Sequence, residues 1–154
     1  MAPARIALAA GGLAALAAAA WLLWGAPGSA GRADPDDAEQ VALGRTVYEK
    51  QCASCHGERL EGQANWRERK ADGRLPAPPH DATGHTWHHP DDALFGITKR
   101  GLAPYAPPGY ESDMQPFAGT LTDEEIWAAL AYIKSRWPPA IRERQKRISE
   151  TAKE

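Results

Sequence analysis

The chain has only two cysteines, Cys52 and Cys55, which lie three residues apart, and His56 follows the second directly. A disulfide between them would close a very short loop, and such a loop gives little entropic stabilisation. A thioredoxin-like redox pair would need a βαβ setting, which the sequence does not indicate. A structural zinc site needs four ligands, and there is no second cysteine pair to complete one. The pair therefore has to be explained together with the histidine.

The order Cys52-Ala53-Ser54-Cys55-His56 is the spacing of covalent haem attachment. Two intervening residues set the thiols at the separation of the two vinyl groups of the porphyrin, and the adjacent His56 can then supply an imidazole nitrogen to the iron. The alternative is a disulfide permitted by an oxidising compartment. The motif predicts one covalently bound haem c, held by Cys52, Cys55 and His56.

The ligand on the other side of the iron decides what such a haem does. Met114 is the only methionine besides the initiator, and it lies in a polar, proline-containing loop rather than on an apolar helical face. Ligation by His and Met raises the reduction potential, and two filled axial positions leave no place for oxygen or substrate. We therefore predict Met114 as the sixth ligand. Its rivals are four histidines of one loop: His80, His85, His88 and His89.

Residues 1–30 are typical of a membrane-targeting segment. Residues 6–24 contain no charged or strongly polar residue, and this length suits a spanning helix of ~17–25 residues better than a signal peptide core of ~7–15. We expect an N-terminal hydrophobic helix that anchors the protein. The alternative is cleavage near the small residues 28–30, which would give a soluble periplasmic protein. Either way, the rest of the chain is predicted to lie on the periplasmic side of a bacterial cytoplasmic membrane.

The rest of the chain predicts an all-α domain. Three segments begin with helix start signals near Ala38, Asp91 and Thr122 and continue with apolar residues at helical spacing. Gly44 lies within the first of them, where it costs about 1 kcal/mol relative to alanine and so indicates a close contact with another backbone. Glycine, proline and histidine are concentrated between residues 57 and 110, and loops this long in a compact domain usually wrap around something.

These features give three to four helices with long loops around one haem, in addition to the N-terminal hydrophobic helix. The C-terminal tail is charged on nearly every side and is predicted to be a solvated helical extension or a fraying end.

With 18 Lys and Arg against 20 Asp and Glu, the chain has no basic field that would indicate binding to nucleic acid. The predicted segments are a membrane segment at 1–30, a linker at 31–37, the domain at 38–137 and the extension at 138–154.

Taken together, these residues resemble class I cytochromes c of the small bacterial monohaem type, over roughly Ala38 to Trp137. In that family the N-terminal helix leads into the C-x-x-C-H site and crosses the C-terminal helix at a glycine. Gly44 and Tyr48 stand where the family has this glycine and an aromatic residue. The resemblance implies the cytochrome c fold. It implies packing of the first helix against residues of the segment WAALAYIKS: Trp127, Leu130 and Tyr132.

The resemblance also implies a partner for the ligating histidine. In the family a proline carbonyl accepts a hydrogen bond from the second ring nitrogen, which fixes the orientation and basicity of the ligand. Pro78 is the expected residue, with Pro76 and Pro79 as alternatives. Family members commonly have proline directly after the ligand methionine, whereas here Gln115 intervenes.

The predicted function is that of a one-electron carrier, not an enzyme, that makes transient contacts with redox partner proteins. It could equally be a haem subunit of a larger oxidoreductase. One alternative is a five-coordinate haem protein that senses a gas or reduces peroxide, with Met114 merely structural. Another is a periplasmic copper-binding protein that uses the histidines between His80 and His89.

Overall fold

The computed structural model describes residues 32–152, and this part of the chain contains helices and no strand. The predicted all-α class is confirmed, and the arrangement fits a cytochrome c fold. Two short 3₁₀ helices cover Thr86–His88 and Ala103–Tyr105. The five α-helices of the described residues are α1 (Ala38–Gln51), α2 (Ala53–His56), α3 (Asp91–Arg100), α4 (Asp123–Ser135) and α5 (Pro139–Thr151).

The predicted N-terminal hydrophobic helix, residues 6–24, lies outside the described residues, as does the whole of the segment 1–30. Between residues 32 and 152, no helix has the length and apolar character needed to cross a membrane.

Two of the predicted helix starts carry side-chain caps. Asp37 Oδ1 accepts hydrogen bonds from the backbone N–H groups of Glu39 and Gln40, at 3.0 and 3.1 Å. Thr122 and Glu125 form a reciprocal capping box, in which each side chain accepts a hydrogen bond from the other residue's backbone N–H. These bonds satisfy donors that the first turn of a helix otherwise leaves free, so the sequence itself fixes where α1 and α4 begin.

Helices α1 and α4 cross at Gly44. A Cβ atom at this position would lie 1.8 Å from the carbonyl oxygen of Ala128, so only glycine lets the two backbones come this close. The predicted close contact is thereby confirmed. One turn later Tyr48 is fully buried, with its ring 5.4 Å from that of Tyr132. The crossing therefore fixes the end of α1 that leads into Cys52.

The core continues from this crossing towards α3. Tyr48, Trp127 and Leu130 belong to one cluster of buried side chains, as the resemblance implied. Trp127 also stacks on Phe95 of α3, with ring centroids 4.3 Å apart. This side of the domain is thus built from α1, α3 and α4.

A buried ion pair joins α3 to α4. Lys134 Nζ lies 3.0 Å from each carboxylate oxygen of Asp91 and donates a further hydrogen bond to the carbonyl of Ala33 at 2.9 Å. Both charged side chains are less than a tenth exposed. The pair therefore ties the segment before α1 to two helices.

Helix α5 is a helical extension, as one of the two predictions for the tail has it, but one face of it is buried in this polar cluster rather than solvated. Gln145 is fully buried, and its Nε2 donates to Asp91 Oδ1 at 2.7 Å and to Ser149 Oγ at 3.0 Å. Ser149 Oγ in turn accepts a hydrogen bond from the backbone N–H of Asp91. The buried face of α5 is partly polar, and for that reason the charge pattern did not indicate it.

Candidate functional site

The predicted haem-attachment residues lie on one short turn at the end of α1. The N–H of Cys52 still bonds to the carbonyl of Tyr48 at 2.9 Å, and α2 then begins a new turn that ends at His56. Both thiols are free, with Cys52 half-buried and Cys55 exposed. The Tyr48 hydroxyl donates to the carbonyl of Gly57 at 2.8 Å, which holds the far end of the turn.

The imidazole of His56 is buried and oriented by a backbone carbonyl. Its Nδ1 lies 2.8 Å from the carbonyl oxygen of Pro78, within hydrogen-bonding distance. Burial lowers the pKa of His56, and the contact with Pro78 opposes that shift only in part. A neutral ring that donates from Nδ1 keeps the lone pair on Nε2 free, which is the arrangement of a metal-ligating histidine.

His80 lies against His56 on the same side of the site. The two rings stack with centroids 4.0 Å apart and planes 22° apart. An iron held by His56 would separate that ring from a ligand on the opposite face, so a ring in direct contact with His56 would not be that ligand. Burial lowers the pKa of His80 well below its usual value, and the adjacent His56 lowers it further. His80 is therefore placed as a neutral support for His56.

Two contacts fix the position of His80. Its Nδ1 lies 2.8 Å from Thr86 Oγ1, and its carbonyl accepts a hydrogen bond from Trp137 Nε1 at 2.7 Å. Trp137 is almost completely buried at the end of α4. In the sequence His80 is one of four histidines of one loop, and nothing in the pattern indicates this buried position.

The remaining three histidines contact aromatic side chains. His85 stacks on Trp66 at 5.3 Å and meets the edge of His89 at 5.5 Å, while His88 stacks on Trp87 at 3.7 Å. Across residues 32–152, no three His, Cys, Asp or Glu side chains are grouped so that they could hold a metal ion. The four histidines of this loop therefore do not form such a group of three among these residues.

Met114 lies half-buried in the loop between α3 and α4. Its N–H donates to Ser112 Oγ at 3.0 Å. The loop is attached to α3 just after the methionine, where the N–H groups of Phe117 and Ala118 bond to carbonyls of Thr98 and Lys99 at 3.1 and 3.0 Å. Buried Phe117 is thus a fixed point three residues after Met114.

Ion pairs connect this loop to an earlier segment of the chain. Lys70 Nζ lies 2.5 Å from Asp113 Oδ2, and Arg74 Nη1 lies 2.8 Å from Asp113 Oδ1. Arg74 also reaches Glu111, with Nη2 3.2 Å from Oε2. The hydrogen bond from Lys70, followed by that from Arg74, lowers the pKa of Asp113. The sequence does not indicate this cluster, because its basic and acidic residues lie about 40 residues apart and follow no periodicity.

The chemistry of the donor set fits a covalently bound haem c. Two free thiols and one neutral imidazole lie on consecutive turns of backbone in the attachment spacing. Burial raises the pKa of Cys52 to about 11, so the unattached chain carries a protonated thiol there. A bound haem would supply an iron that accepts and donates one electron, and Cys52, Cys55 and His56 are the residues that would hold it.

Comparison with known proteins identifies one family. The model of the family "Cytochrome C oxidase, cbb3-type, subunit III" matches residues 39–133, which include the attachment turn, Pro78, Met114 and most of α4. No curated protein and no solved structure matches the chain significantly.

Proposed function

The chain belongs to the family of c-type cytochrome domains described as cytochrome C oxidase, cbb3-type, subunit III, and on this premise we propose that it is a one-electron carrier with His/Met ligation. As a class I monohaem cytochrome c, it binds haem c covalently and takes part in haem-based electron transfer. We assign Cys52 and Cys55 as the attachment sites and His56 and Met114 as the axial ligands.

One observation carries most of this proposal, namely the contact between His56 Nδ1 and the Pro78 carbonyl at 2.8 Å. It orients the imidazole so that Nε2 faces away from the protein backbone that holds the ring. The carbonyl also raises the basicity of the ligand, a common device at metal sites. His56, Pro78 and the two cysteines together form the half of the site on which the haem is attached.

The choice of Met114 over a histidine follows from where the histidines lie. His80 stacks on His56, so it is on the wrong side of the site to be the second axial ligand. His85 and His88 each stack on a tryptophan ring, and His89 meets the edge of the His85 ring. Met114 is the remaining soft donor, and thioether ligation raises the reduction potential and fills the position that a small-molecule ligand would need.

We place the protein on the periplasmic side of the bacterial cytoplasmic membrane, anchored by residues 6–24. Its partners would then be redox proteins that contact it transiently near the haem edge. A mass measurement on the purified protein tests the anchor directly, because cleavage near residue 30 would remove the first 30 residues.

The experiment that tests the carrier function is Met114→Ala in the haem-loaded protein. We expect the oxidised wild-type protein to show a sulfur-to-iron charge-transfer band in the near infrared and the variant to lose it. The reduced variant should bind CO rapidly, because the sixth position is then open, whereas the wild type should not. Gln115→Ala is the matched control, since Gln115 is the exposed neighbour in the same loop.

Rapid CO binding by the unaltered reduced protein would contradict this proposal and support the five-coordinate sensor or peroxide-reducing alternative. A second candidate is a haem subunit of a larger oxidoreductase. The family description favours it, because it names an oxidase subunit. Purification of the tagged full-length chain from its own membranes separates the two, since a subunit would retain stoichiometric partners and a carrier would not.

A further inference from the structure

Lys70, Arg74, Glu111 and Asp113 form an ion-pair cluster, here called the clasp, beside the loop that carries Met114. We propose that the clasp is what holds this loop in the position from which Met114 reaches the iron. Its members would be positioning residues for the sixth ligand. This inference rests on the proposed function, because it assumes that Met114 is that ligand.

The clasp acts on the residue next to the ligand. Asp113 precedes Met114, and its two carboxylate oxygens take different cations, Lys70 on Oδ2 and Arg74 on Oδ1. Two partners on opposite oxygens restrict rotation of the carboxylate more than one partner would. Arg74 also binds Glu111 two residues earlier, so the loop is held at two points on the same side of Met114.

The cationic half of the clasp is itself ordered. Lys70 and Arg74 lie on one tight turn, closed by a hydrogen bond from the Lys70 N–H to the Arg74 carbonyl at 2.8 Å. Arg69 Nη1 donates to the carbonyl of Gly73 within the same turn. Four residues after Arg74, Pro78 contacts His56. A single segment therefore contacts the first ligand and the loop of the second.

The loop has few other attachments before Phe117. Among the described residues, its backbone N–H groups reach α3 only from Phe117 and Ala118, after the methionine. Before the methionine, Met114 N–H bonds to Ser112 of the same loop. Arg69 lies 5.7 Å over the ring of Tyr110, which adds one weak contact. Farther from the methionine, Tyr105 of the same loop contacts Arg100 of α3. The clasp is thus the main connection of residues 111–113, which directly precede Met114.

The test is Asp113→Asn in the haem-loaded protein, read by imidazole titration of the oxidised form. Imidazole competes with Met114 for the iron, so a loosened loop should increase the affinity for imidazole about two- to threefold. Arg74→Gln should do the same from the other side of the ion pair. Asp113→Glu keeps the charge and should stay near the wild type. Glu49→Gln, which breaks the exposed ion pair with Arg45 on α1, is the matched control.

Salt gives a second readout that a merely structural role would not produce. At about 1 M salt the Debye length falls to ~3 Å, so exposed ion pairs weaken. We expect added salt to raise the imidazole affinity of the wild type and to leave that of Asp113→Asn nearly unchanged.

The outcomes separate the clasp from the function it rests on. If Met114→Ala removes the charge-transfer band but Asp113→Asn and Arg74→Gln bind imidazole as the Glu49→Gln control does, the clasp is overturned and the carrier stands. If the wild type has no such band, both proposals are overturned. A gain in imidazole affinity of about two- to threefold in both Asp113→Asn and Arg74→Gln, with Asp113→Glu near the wild type, supports the clasp.

Discussion

Two lysine–aspartate pairs in this protein invite comparison, because they match in chemistry and differ in surroundings. Lys134 pairs with Asp91 and Lys70 with Asp113, and in both pairs the partners lie 43 residues apart in the chain. The side chains of the first pair are 9% and 8% exposed, and those of the second are 39% and 48% exposed. Burial is therefore the main variable between them.

The difference shows how one kind of contact serves two purposes. Charges taken out of water depend on each other, so the loss of one partner leaves the other buried and uncompensated. Exposed charges return to water when separated, and such pairs contribute little to the free energy of unfolding. The buried pair thus secures the helices behind the site, whereas the exposed pair can position a loop without much effect on stability.

The largest effect is expected from Asp91→Ala. It leaves the Lys134 ammonium with only the Ala33 carbonyl, and it removes the 2.7 Å acceptor of Gln145. The free energy of unfolding should fall by about 3–5 kcal/mol, as for other buried pairs that lose one member. Urea unfolding of the haem-loaded protein, followed by far-ultraviolet circular dichroism, measures it.

Asp113→Ala is the matched control for that measurement, and it should lower the free energy of unfolding by less than about 1 kcal/mol. Similar losses in the two variants would contradict the view that burial decides the contribution of these pairs.

A second pair of positions repeats the comparison without charges. Gly44→Ala places a Cβ 1.8 Å from the Ala128 carbonyl oxygen, a backbone atom that cannot rotate away. Overpacking of this kind costs ~1–3 kcal/mol. Alanine regains about 1 kcal/mol through helix propensity, so a net loss of about 1 kcal/mol in the free energy of unfolding is expected. The same urea unfolding experiment measures it.

Gly119→Ala serves as the reference for Gly44→Ala, because no atom lies within 4 Å of a Cβ built at Gly119. It should change the free energy of unfolding by no more than about 0.5 kcal/mol. Equal stability of the two variants would mean that α1 and α4 can separate at no cost.

What the sequence revealed of this fold was local. Capping residues marked the starts of α1 and α4, and the cost of a mid-helix glycine indicated the crossing at Gly44. The attachment motif is local as well, since Cys52, Cys55 and His56 lie within five residues. Such features can be predicted because spacing along the chain fixes spacing in the structure.

The contacts that could not be predicted join distant segments through polar side chains. No periodicity links Lys70 to Asp113 or Asp91 to Lys134, and the charged tail hides the fully buried Gln145. A pattern of apolar residues finds only helix faces that are apolar. The buried, stacked position of His80 could not be predicted either, because the residues that surround it, His56 and Trp137, lie far from it along the chain.

Salt should produce the smallest effect, and it distinguishes the two pairs when it is added to the same two alanine variants. Urea is uncharged, so ionic strength can be set independently during unfolding. Raising it to about 1 M shortens the Debye length to ~3 Å and screens exposed charges, but it reaches buried ones poorly. The cost of Asp113→Ala, about 0.5 kcal/mol at low salt, should then vanish within error, whereas that of Asp91→Ala should persist. If salt also removed the loss of unfolding free energy in Asp91→Ala, water and ions would have to reach that pair. The contrast between the buried pair and the exposed clasp would then fail.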